Sequence, residues 1–73
     1  MDYVDRIKAL REDNDLTQKE IGKVLHKSQQ GYAHMEGRDS KFTVEDIIDL
    51  CRYYNVSADY ILGLPEGMEY LKR

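Results

Sequence analysis

Two helix-start signals only eleven residues apart constrain this 73-residue chain more than anything else in it. The first is Thr17-Gln18-Lys19-Glu20, a capping box in which the threonine hydroxyl accepts from the Glu20 amide while the glutamate reaches back to the Thr17 amide. The second is Ser28, a good N-cap residue. Between them Ile21, Val24 and Leu25 recur at helical spacing, and His26-Lys27 breaks the stripe. The pattern predicts a helix from Gln18 to Leu25, a tight turn, and a helix from Gln29 to about Glu36 that buries Tyr32 and Met35. Two short helices joined by about three residues have the helix-turn-helix spacing. Gly31 costs the second of them about 1 kcal/mol against alanine, so packing must hold it more than propensity does.

The flanking segments read as helices too. Asp2 caps an amphipathic helix over 3–13 carrying Tyr3, Val4, Ile7 and Leu10, with Asn14 as a left-handed stop. Gly37 suits a C-terminal cap ahead of the loop through Lys41. Thr43 caps a fourth helix with the stripe Val44, Ile47, Ile48, Leu50, Cys51 and Tyr54, ended by Asn55. Ser57 caps a short fifth helix, Ala58 to Leu62, closed by Gly63 and Pro65. The fold class is therefore all-α, a compact five-helix bundle. Its expected core is Ile7, Leu10, Leu16, Ile21, Leu25, Tyr32, Val44, Ile47, Ile48, Cys51, Val56, Ile61 and Leu62. Residues 1–64 form the domain, and 65–73 form a tail that is an extra turn or a dimer contact.

Composition excludes several classes. With 41% hydrophobic and 34% charged residues the chain is too apolar for a disordered tail. No apolar run approaches the roughly 18 to 20 residues of a membrane span, and the first residues show neither a basic leader nor a signal segment, so a cytoplasmic location and no membrane partner are expected. His26 and His34 with the distant Cys51 lack a metal-ligand spacing, and no nucleophile or glycine-rich phosphate loop accompanies the acidic pairs Glu12-Asp13 and Glu45-Asp46. The reading is not an enzyme, with no metal, no cofactor and no small-molecule ligand. The net charge of −3 opposes a nucleic-acid partner in sum but not in distribution. Residues 1–16 carry −2, residues 17–41 carry +2 and residues 42–73 carry −3, so the only positive segment holds the two short helices.

Three stretches carry a resemblance. Leu10-Arg11-Glu12 with Leu16-Thr17-Gln18-Lys19-Glu20-Ile21 and Leu25, then Ser28-Gln29-Gln30 with Glu36, then Tyr54-Asn55-Val56-Ser57-Ala58-Asp59-Tyr60-Ile61-Leu62-Gly63-Leu64 resemble the Cro and phage-repressor helix-turn-helix family. The match covers about residues 4 to 64 and implies a lambda-repressor-like fold. Four positions depart from that family. His26 and Lys27 replace a usual glycine and a usual apolar residue in the turn, Gly22 replaces alanine, and Arg38 stands where a glycine is common. Gly37, one place earlier, is expected to serve in that glycine's stead.

The resemblance implies a transcriptional regulator of bacterial or phage type, most simply a repressor, that binds a double-stranded operator as a homodimer. The third helix would read bases through Gln29 and Gln30, with His34 one turn on along the same face; glutamine pairs bidentately with adenine. Phosphate contacts are expected from Gln18 at a helix N-terminus, from Lys41 with the amides of Phe42 and Thr43, and from Lys27 and Arg38. Thr17 and Ser28 are read as caps. Tyr60, Leu64, Met68, Tyr70 and Leu71 are the dimer candidates. The rival reading is a module that binds a partner protein, such as an antitoxin or an adaptor.

Overall fold

The computed structural model describes residues 2–64 and shows why five capped segments of this length have to pack together. Its helices are α1 Tyr3–Asp13, α2 Gln18–Val24, α3 Gln29–Glu36, α4 Val44–Tyr54 and α5 Ala58–Leu62. Each is short for an isolated helix, so burial of one face must supply the stability. The side chains of Asp2, Thr17, Ser28, Thr43 and Ser57 each accept an amide of the first turn that follows. At Thr17 and Thr43 the box is reciprocal, with Glu20 and Asp46 returning the bond. The core joins all five helices through Ile7, Ile21, Leu25, Tyr32, Met35, Ile47, Leu50 and Ile61. Among the described residues no helix is long and apolar enough to cross a membrane.

Three expected core positions lie outside. Val44 is 71% exposed, Ile48 43% and Leu62 41%. At about 100° per residue, Ile47, Leu50, Cys51 and Tyr54 share one arc of α4, while Val44 and Ile48 fall on its flank. The expected stripe was thus wider than one neighbouring layer covers. Leu50, absent from the expected core, is fully buried, and Val4 is buried on α1. Leu10, Leu16, Cys51 and Val56 are half-buried against the centre.

Asn14 and Gly37 cap their helices as expected, but in each case the left-handed residue is the next one. Asn14 is not left-handed (φ −97°), because its amide and its Nδ2 both still bond the Leu10 carbonyl; the reversal falls on Asp15 (φ 55°). Gly37 likewise extends the helical pattern, donating to Ala33 O at 2.9 Å with φ −82°. Arg38 therefore takes the left-handed conformation itself (φ 70°). Asn55 and Gly63 are left-handed as the pattern predicts.

Candidate nucleic-acid interface

The turn between α2 and α3 is built from backbone. Leu25 ends α2, His26 turns left-handed (φ 59°), and the Lys27 amide donates to Gly22 O at 2.7 Å. The chain passes so close over α2 that a methyl group on Gly22 would lie 3.0 Å from Lys27 O and 3.2 Å from Ser28 O. Ser28 then starts α3, its Oγ accepting from the Gly31 amide at 3.0 Å. His26 thus adopts the conformation for which glycine is the usual choice.

The far end of α3 is held by a buried ion pair. Arg11 donates from Nε to Glu36 Oε2 at 2.7 Å and from Nη2 to Oε1 at 3.1 Å, and its Nη1 caps the Leu16 carbonyl at 2.9 Å. Gln18 Nε2 adds a third donor to Glu36 Oε1 at 3.2 Å. The side chains of Arg11 and Glu36 are only 13% and 4% exposed. Burial pushes the Glu36 carboxyl up, but the hydrogen bonds reverse that and hold it below its ordinary value; the same contact raises Arg11. One carboxylate therefore ties α1, α2 and α3 together. Sequence reasoning quoted Arg11 and Glu36 without pairing them. The available signal was a pair of opposite charges each one turn after a buried position, Arg11 after Ile7 and Glu36 after Tyr32.

Anchored at both ends, α3 leaves Gln29, Gln30 and His34 exposed. These are the three candidate base readers. His34 Nδ1 lies 3.4 Å from Asp39 Oδ2, a contact between half-exposed and largely exposed side chains. Lys27 and Lys41 are exposed at either end of the α3 region and make no ion pair among the described residues.

Of the other candidate phosphate holders, the side chains of Gln18, Phe42 and Arg38 and the amide of Thr43 are engaged within the protein. The Gln18 amide group is spent on Glu36, which leaves its place at the α2 N-terminus as its contribution. The Thr43 amide donates to Asp46 Oδ2 at 2.9 Å, so it is not free for a phosphate as expected: the α4 capping box claims it. The Phe42 ring packs edge-on against Tyr3 and Tyr32, with centroids 6.3 and 6.1 Å apart. Arg38 grips Asp2 and Asp5. Among the dimer candidates Tyr60 and Leu64 are exposed, with the Arg6 guanidinium 6.0 Å over the Tyr60 ring. Met68, Tyr70 and Leu71 lie outside the described residues.

Comparison with known proteins agrees with this geometry. A family model described as helix-turn-helix matches residues 7–61, from the middle of α1 into α5. An uncharacterized helix-turn-helix-type transcriptional regulator of Bacillus subtilis (strain 168), YobD, is 31% identical over 64 residues, which is 88% of this chain and 57% of the relative. The chain thus spans little more than half the length of that relative. A crystal structure of a transcriptional regulator from Listeria innocua superposes with a TM-score of 0.79 at 19% identity, over 92% of this chain and 63% of that one, which is likeness of fold. The arrangement of α2, turn and α3, the family match across nearly the whole bundle and the Bacillus relative together show that the chain belongs to the helix-turn-helix family of Cro and phage-repressor type, a family of regulators and not of enzymes.

Proposed function

We propose that this chain binds double-stranded DNA in a sequence-specific manner and regulates transcription, most simply as a repressor, with α3 lying in the major groove. The observation that carries the reading is the rigid presentation of α3. Tyr32 and Met35 bury one face, Glu36 fixes the end through Arg11 and Gln18, Gln30 and His34 fall opposite the buried face, and Gln29 is exposed on its flank. Gln29 and Gln30 are the base readers, since a bidentate glutamine–adenine pair contributes about 1–3 kcal/mol of discrimination. Lys27, Lys41 and the Phe42 amide flank α3 as backbone contacts, a role that needs charge and not base-specific geometry. The printed description of the Bacillus relative as a transcriptional regulator supports the same reading.

One such module offers few base contacts, so a homodimer on a two-fold operator completes the proposal, its two α3 helices about 34 Å apart in successive major-groove turns. Apolar side chains for pairing are present on the α4–α5 side: Val44, Ile48, Tyr60, Leu62 and Leu64 are all exposed. Selection from a random duplex pool tests the function. Enrichment of one sequence, with binding that weakens steeply as salt rises, is the expected result. A pool that returns no sequence while the protein captures a partner protein would give preference to the antitoxin or adaptor reading.

A further inference from the structure

Arg38 stands in a left-handed conformation (φ 70°) that is strained for a non-glycine residue, so the contacts of its side chain bear on why it holds the position. The guanidinium reaches back to the N-terminus of α1. Nη1 donates to Asp2 Oδ2 at 2.7 Å, and Nη2 donates to Asp2 Oδ1 at 2.9 Å and to Asp5 Oδ1 at 3.3 Å. Asp2 Oδ1 also accepts the Asp5 amide at 3.1 Å, so one carboxylate both caps α1 and grips the segment that follows α3. The hydrogen bond from Arg38 holds the Asp2 carboxyl well below the usual carboxylate range. Two carboxylates enclose one guanidinium, which turns a basic residue beside α3 into a cluster of net charge −1. About half of each side chain stays accessible, 52% for Arg38, 49% for Asp2 and 52% for Asp5, so an outside anion can reach it. The fork that grips a carboxylate with two parallel donors fits a phosphate equally well.

We propose that Asp2 and Asp5 form a phosphate-competing latch, which keeps Arg38 off the DNA backbone in the free protein and so suppresses non-specific duplex binding. The proposal rests on the DNA-binding reading and adds to it a built-in restraint. The two aspartates occupy the place of the phosphate oxygens and are displaced by them.

The test compares three proteins on a duplex of arbitrary sequence across a salt series: the parent, D2N/D5N, and D2N/D5N/R38A. Asparagine also caps helices well, so the α1 start survives, and a thermal melt verifies the fold of each. The latch predicts that D2N/D5N binds more tightly than the parent at low salt with a slope steeper by about 0.9, equivalent to losing about 3- to 4-fold more affinity between about 50 and 200 mM salt. Adding R38A should return the slope to that of the parent. Equal slopes in all three, or a gain that persists without Arg38, would overturn the latch and leave the DNA reading intact. Failure of the parent to bind any duplex would instead remove the DNA reading, and the latch with it.

Discussion

At the scale of single residues, polar groups do two separable jobs: some hold α3 in place and some face outward. Arg11 and Glu36 hold. Removing one partner of a buried pair strands the other, so Arg11→Ala should cost about 3–5 kcal/mol in chemical denaturation. The pair also sets an acid limit. Because the folded state depresses the Glu36 pKa, its contribution is present above the ordinary carboxylate value of 4.5 and is lost as pH falls through the lower folded value. Stability of the parent should therefore fall below about pH 4.5 more than that of Glu36→Gln, which carries no such proton. Parallel pH profiles would show that the pair is not linked to folding. The turn supplies a further case: His26 is left-handed, so His26→Gly should be neutral or raise stability by up to about 1 kcal/mol. A loss of stability there would mean that the imidazole makes a contact worth more than the strain.

At the scale of helices, the sequence was legible wherever a cap and a period agreed. Thr17 with Glu20 and Ser28 placed both short helices, because a cap is a local bond that needs no tertiary partner. What escaped depended on neighbours. The α4 stripe did not show that only the arc of Ile47, Leu50, Cys51 and Tyr54 meets another layer, nor that the helical bonding runs on through Gly37 and moves the reversal onto Arg38. The same difficulty hid the Thr43 amide behind Asp46, and the Arg11–Glu36 pair across 25 residues. The exposure of Gln29, Gln30 and His34 on α3 was legible from their polar character beside the apolar pair Tyr32 and Met35. Two neighbours on α4 check the corrected core. Ile47→Ala should destabilise by about 2–5 kcal/mol, whereas Ile48→Ala should stay within about 1 kcal/mol in the monomer. Equal losses would place Ile48 in the core after all.

For the whole molecule, the positive balance and the exposed apolar side chains fall on different segments. The region between Thr17 and Lys41 carries the positive balance and the α3 face, while Val44, Ile48, Tyr60, Leu62 and Leu64 supply apolar surface elsewhere. The proposed dimer uses the second to place two copies of the first. Sedimentation with a two-fold operator should give two protein chains per duplex, and one chain per duplex at saturation would exclude that assembly. The proposed reading of bases by α3 stands or falls on how Gln29→Ala and Gln30→Ala bind the selected operator and each of its single-base variants. At least one substitution should abolish preference at one operator position, at a cost of about 1–3 kcal/mol, while affinity for unrelated duplex stays nearly unchanged. Specificity profiles identical to that of the parent for both variants would contradict it.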